Sequence, residues 1–233
     1  MTVTTSTSDG VLLVTIEREP VNALDLEAIV ALTRTFAAAA HDAPDNGVVL
    51  TGGGQVFSAG VDVRAFASYS VEQRHEMVRA ITRMVAQLVA IPTPVVAAVN
   101  GHALGGGFVL MLGCDHRIAT DSAAAKLGLT EAQAGIPFPA GPVEVMRHEL
   151  APELLRRMTL TSAVLTTREL FEARVVDTLC TSEDVKAKAL ATAKQLAAQS
   201  AFRAVKRQIR GALAERLAAL AATGEEPFLS AFG

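Results

Sequence analysis

Two glycine runs and one glutamate are the residues of this chain best placed to do chemistry. Asn100-Gly-His-Ala-Leu-Gly-Gly-Gly107 follows the apolar, β-branched residues 95–99 and precedes the apolar residues 108–112. A buried strand that breaks into glycines and restarts as a helix leaves several backbone N–H groups unpaired at the helix N-terminus, where the helix dipole favours negative charge. Glycine also lets a ligand approach the main chain closely. The same residues suit a tight strand-to-helix corner whose glycines only permit close packing, and this stretch alone supports both readings. Thr51-Gly-Gly-Gly54, between the apolar residues 48–50 and Phe57-Ser-Ala-Gly-Val-Asp62, is a second such corner. Two of them could set two N–H groups around one point, as in an oxyanion hole. Glu131 is a carboxylate in an apolar stretch broken by Gly128, Gly135 and Pro137. It could act as an acid/base or simply face water at a helix start.

The elements that must hold these residues can be read from periodicity. Residues 11–16, Val-Leu-Leu-Val-Thr-Ile, predict a strand. Leu26, Ile29, Val30, Thr33 and Phe36 fall at helical spacing, with Asp25 as N-cap, and Asp45-Asn-Gly47 predicts a turn into the next strand. Residues 63–66 read as a short helix or turn, and 71–91 as a long amphipathic helix stopped by Pro92 and Pro94. Residues 116–119 predict a further short strand. The remainder is alanine-rich, with helical spacing at 152–160, 167–174, 182–199 and 201–220. Strands alternate with helices up to about Gly128, which predicts an α/β fold. The expected division is a catalytic core over residues 1–150 and a C-terminal helical region over 151–233.

Composition narrows the classes. The chain has 233 residues, half of them apolar, and a net charge of −3. That is ample for a buried core, and no basic block points to nucleic acid. Cys114 and Cys180 have no metal-ligand spacing, and Cys114 reads as a reduced structural thiol. Residues 1–9 are Thr/Ser-rich and lack the charge and apolar core of a signal peptide. Residues 95–114 are apolar enough to raise the question of a membrane span, but Asn100, His102 and the glycine break favour a strand followed by a helix. The expectation is a cytoplasmic protein with no membrane partner.

Phe57-Ser-Ala-Gly-Val-Asp62 together with Asn100-Gly-His-Ala-Leu-Gly-Gly-Gly107 and Cys114-Asp115 resembles the crotonase (enoyl-CoA hydratase/isomerase) superfamily, from about Val11 to the final helices. The resemblance implies a spiral of ββα units with C-terminal helices forming a trimerisation region, in a homotrimer or hexamer. It implies an acyl-CoA thioester substrate, CoA arriving as part of that substrate, and no metal or further cofactor. Gly128-Leu-Thr-Glu-Ala-Gln-Ala-Gly135 resembles the segment that carries the family's acid/base glutamate, which makes Glu131 catalytic. The oxyanion-hole donors are then the N–H groups of Ala59 and Gly106. Ser58, Gly60, Val61, Asp62 and Leu104 would lie along the substrate, with Phe108 and Val109 as candidate walls. Arg64 would lie near the CoA phosphates, and Arg18 and residues 21–24 near the CoA. Lys206 or Arg207 could also reach phosphates, or form an ordinary amphipathic face.

The chain departs from the hydratases at one telling place. Enoyl-CoA hydratases that resemble it carry a second glutamate just after the glycines, where this chain has Val109. A hydratase needs one group to activate water and another to deliver a proton. Moving a double bond needs only one carboxylate. The resemblance is closest to the mitochondrial-type isomerases that convert 3-enoyl-CoA to 2-enoyl-CoA. Alternatives are a hydratase whose second carboxylate comes from elsewhere, Glu144 being the nearest candidate, and a non-catalytic acyl-CoA-binding protein. Acyl-CoA thioester hydrolysis is a further alternative, for which no nucleophile–base pair speaks. Arg174 stands where the family usually has a glycine, which puts a turn in question.

Overall fold

The computed structural model describes residues 2–232. The chain opens with β1 (Val3–Ser8) and β2 (Val11–Ile16), an antiparallel hairpin. It turns at Asp9 and Gly10, both at positive φ (48° and 76°), as the tightest hairpin turns require. The Thr/Ser-rich start is therefore largely a strand, which the sequence pattern did not predict. Its residues beyond Val3 are partly or fully exposed, so no apolar alternation marks them.

After α1 (Leu26–His41), capped by the Asp25 carboxylate accepting the Ala28 N–H at 2.8 Å, one unit repeats. The first copy is β3 (Val48–Gly52), β4 (Val56–Ser58), α2 (Val63–Ser68) and α3 (Val71–Ala90). The second is β5 (Val95–Val99), β6 (His102–Leu104) and α4 (Gly106–Gly113), and the third β7 (His116–Thr120), β8 (Leu127–Gly128), α5 (Glu131–Ala134) and α6 (Ala140–Glu149). In each copy the first strand joins a large sheet and the second joins a small one. The chain continues through α7 (Pro152–Leu160), β9 (Val164–Leu165), α8 (Thr167–Glu172), β10 (Thr178–Cys180), α9 (Val185–Ala197) and α10 (Phe202–Thr223). It ends in a 3₁₀ turn at Leu229–Phe232. The large sheet runs β1-β2-β3-β5-β7-β10, parallel except for the hairpin, and the small sheet runs β4-β6-β8-β9.

All residues of β3 and β5 are buried, as expected of parallel strands covered on both faces. α1 and α3 cover one face. α9 covers the other, where Val185, Ala189 and Ala193 pack on Val11, Val49, Val96, Ala98 and Ile118. Residues 95–114 split into β5, β6 and α4, and no helix among the described residues is long and apolar enough to cross a membrane. Buried in α4's C-cap, the Cys114 thiol is pushed up to about 12, so it stays protonated.

Residues on both sides of position 150 share the two sheets and the apolar core. β9 and β10 add strands to both sheets, and one apolar cluster runs from Val3 to Leu217. The part beyond residue 150 is therefore not helix-only. Arg174 takes the turn that glycine was expected to make, with φ of 59°. Lys206 does not reach for phosphates: it is buried in α10, paired with Asp115 and donating to the Thr93 carbonyl at 3.0 Å.

Candidate active site

The ends of β4, β6 and β8 meet where glycine lets the main chains touch. A Cβ on Gly60, whose φ is +80°, would sit 2.5 Å from the Leu104 carbonyl oxygen and 2.9 Å from the Gly106 nitrogen. One on Gly107 would sit 2.3 Å from the Ser58 carbonyl oxygen. Only glycine allows these contacts, which bring the two corners read from sequence to one place.

Residues 21–24 then decide which N–H groups remain free. Ala59 donates its N–H to the Val21 carbonyl at 2.9 Å, Leu24 donates to Gly60 at 2.7 Å, and Asp62 donates to Leu24 at 2.9 Å. In such an extended ladder alternate residues point to opposite sides. The N–H of Val61 accordingly finds no acceptor among the described residues, and neither does that of Gly106 at the start of α4. A Cβ on Gly106 would lie 3.8 Å from the Val61 nitrogen. The expectation for Ala59 is thus corrected: its N–H is taken up by Val21, and Val61 supplies the unpaired donor beside Gly106.

Glu131 reaches the same point from the third repeat. Gly105 donates its N–H to Gly128 at 2.8 Å, tying the end of β6 to the end of β8 just before α5 begins. The Glu131 carboxylate lies against Gly105, where an added Cβ would be 3.0 Å from Oε1. Its Oε2 is buried and accepts no hydrogen bond among the described residues. Burial pushes its pKa up to about 7, while the nearby main-chain N–H groups of Glu131 and Thr130 pull the other way.

These groups open on a cavity of about 110 Å³. Ala59, Val61, Gly105, Gly106 and Glu131 are among its lining residues. Val63 and Phe66 from α2, Val78 and Ile81 from α3, and Val109 from α4 form apolar walls, with Ile136 to Pro139 and Phe232 closing the rest. Glu131 is the one ionisable side chain among the lining residues.

Other expected contacts fall elsewhere. Phe108 is fully buried in the core and does not line the cavity. Ser58 is a structural bracket: its hydroxyl donates to the Asn22 carbonyl at 2.8 Å and accepts the Gly60 N–H at 3.1 Å. Gly60 and Leu104 serve through close packing rather than as cavity wall. Asp62 caps α2, accepting the N–H groups of Arg64 and Ala65, and pairs with Arg18 at 2.7 Å. The α2 amides and then Arg18 hold its pKa below the usual carboxylate value, against desolvation. Arg18 is shared with Asp25 at 3.1 Å. Arg64 is exposed at the start of α2, next to the wall residue Val63. Glu144 faces α10, 3.6 Å from Arg216, and does not line the cavity.

Asn22, within the residues 21–24 expected near the CoA, is buried and braces the site. Its side-chain amide donates to the Gly53 and Val56 carbonyls at 2.9 and 2.6 Å, and its oxygen accepts the Arg18 N–H. The resemblance marked the segment, while the bracing role shows only in the fold. Sequence reasoning missed Phe232, which lines the cavity.

The architecture is that of known acyl-CoA enzymes. A structure described as the Mycobacterium tuberculosis enoyl-CoA isomerase superposes with a TM-score of 0.84, at 25% identity, covering 96% of this chain and 97% of the other. The 2,3-dehydroadipyl-CoA hydratase of Escherichia coli is 31% identical over 208 residues, 88% of this chain and 80% of that protein. The rice peroxisomal fatty acid β-oxidation multifunctional protein is 35% identical over 181 residues, 76% of this chain, and the match spans only 24% of that longer protein. The family profile described as enoyl-CoA hydratase/isomerase matches residues 6–232, and the chain belongs to that family. The fold is accordingly the crotonase α/β fold.

Proposed function

We propose that this enzyme is an acyl-CoA double-bond isomerase that moves a β,γ double bond to the α,β position. The observation that carries this reading is the single carboxylate: among the described residues Glu131 is the only ionisable side chain lining the cavity, and Val109 stands as bare apolar wall. Hydration needs a second group to hold water, and the nearest named candidate, Glu144, is turned toward Arg216.

In the proposed mechanism the thioester oxygen lies between the N–H groups of Val61 and Gly106. Glu131, as carboxylate, takes a proton from the α carbon, and the electron pair spreads over the dienolate with its charge on that oxygen. The protonated Glu131 then returns the proton at the γ carbon, which leaves the double bond between the α and β carbons. One such N–H donor is worth about 2.7–4 kcal/mol in the transition state. A raised pKa suits a group that must both take and give the proton near neutrality. The apolar walls keep water from the dienolate.

Hydration is the second reading, favoured by the name of the Escherichia coli relative. Product analysis with a 3-enoyl-CoA and a 2-enoyl-CoA separates the two. Isomerase action predicts fast conversion of the first and feeble hydration of the second. Hydration as fast as isomerisation would overturn the isomerase reading.

A further inference from the structure

One wall of the cavity comes from a residue distant in sequence from its chemical groups. Phe232 is only 6% exposed and forms part of the wall. Its ring meets the Phe66 ring edge-on, with centroids 6.2 Å apart and planes at 76°. Phe66 is fixed in turn by Arg74, whose guanidinium lies 5.6 Å from the ring centroid and whose Nε donates to the Phe66 carbonyl at 3.2 Å.

The strap that delivers Phe232 is anchored at both walls. Gly224 ends α10 at a φ of +65°, and its carbonyl accepts Arg79 Nε at 3.4 Å. The Glu226 carboxylate accepts the Ala140 N–H of α6 at 2.7 Å and the Thr82 hydroxyl of α3. Thr82 also accepts the Gly141 N–H at 3.1 Å. Of the strap's two phenylalanines, Phe228 is left 65% exposed while Phe232 is buried in the pocket.

We propose that Phe232, seated against Phe66, limits the acyl chain that the site accepts and makes it a short-chain acyl-CoA site. The inference rests on the acyl-CoA reading given above. The space beside Glu131 is about 110 Å³, smaller than the roughly 150 Å³ cavity that holds benzene, which suits a short acyl chain. A longer chain running along this wall must push the Phe232 ring aside and forfeit its contact with Phe66. Chain-length preference is therefore set by a residue distant in sequence from the chemical groups.

Calorimetric binding of saturated, unreactive acetyl-, butyryl-, hexanoyl-, octanoyl- and decanoyl-CoA tests this. The wild type should bind butyryl- or hexanoyl-CoA most tightly and decanoyl-CoA at least tenfold more weakly. In Phe232→Ala and Phe66→Ala the preference should move to octanoyl-CoA or longer, with Phe232→Leu in between. Thermal unfolding checks that each variant folds, and if Phe232→Ala does not, Phe232→Leu and Phe66→Ala carry the comparison. Wild type binding decanoyl-CoA as tightly as butyryl-CoA, or a preference unchanged in the folded variants, would overturn the proposal. Failure of every acyl-CoA to bind the wild type would overturn the acyl-CoA reading and this inference with it.

Discussion

The Glu131 carboxylate rests directly on Gly105, where an added Cβ would lie 3.0 Å from Oε1. Gly105 also carries φ 50° and ψ −122°, a conformation that L side chains avoid. Gly105→Ala should therefore fail twice. Strain of this kind costs about 1–3 kcal/mol, readable in denaturant unfolding. The added methyl should also push the carboxylate off its position and lower kcat by more than tenfold. An alanine variant as stable and as active as the wild type would show that Gly105 does not position Glu131.

Gly106 offers a cleaner test of the oxyanion site. It is the first residue of α4, where proline is well tolerated because the N–H has no intrahelical partner. A Cβ there meets nothing closer than 3.6 Å, so Gly106→Ala should fold and keep its N–H. Gly106→Pro removes the donor, and kcat should fall about 10²–10³-fold, the loss usual for one oxyanion donor. Circular dichroism of both variants separates this loss from misfolding. Similar activity in the two would rule out Gly106 as a donor to the substrate.

How much of this was legible in the sequence depended on range. β3 and β5 announced themselves as apolar β-branched runs, and α3 by its stripe and its proline stop. Glu131 was found through its local pattern. The two-residue β8 and three-residue β6 carry too few positions to show a period. Ala59 and Val61 are two residues apart, and which N–H is free turned on residues 21–24 pairing with that strand, a long-range register invisible in the local pattern. Phe232 illustrates the same limit, since nothing near it in sequence says that it returns to α2.

Asp115 was legible as part of a motif, yet its job appears only in three dimensions. It accepts the Val95 N–H at 2.8 Å, pairs with Arg210 at 2.8 Å and with Lys206, and all three side chains are buried. Arg210 also holds Glu149 at 2.7 Å, and Glu149 pairs with Arg117. Two carboxylates thus serve three cations beneath α10. Asp115→Ala would leave the buried Lys206 without its carboxylate and Arg210 with Glu149 alone, a loss of about 3–5 kcal/mol. A loss below 1 kcal/mol in urea unfolding would mean that the network is not what fixes α10.

Glu131 ties catalysis to stability through its proton. Taking the α proton requires the ionised form, so kcat/KM for a 3-enoyl-CoA should rise with pH through about 7 and then level off. Stability should run the other way. In the unfolded chain this glutamate titrates near its ordinary value of 4.5, whereas burial holds the native group up to about 7. Between those values the native state binds more protons, so the fold loses stability as pH rises through the window, by up to about 3 kcal/mol. Glu131→Gln keeps the shape without the titration. It should lose about 10²–10⁴-fold in isomerisation, yet gain on the wild type in unfolding free energy between pH 5 and pH 8. Urea unfolding of both proteins at those two values measures the gap. If the two change in parallel, Glu131 is not held above its ordinary pKa, and its assignment as the buried acid/base falls with it.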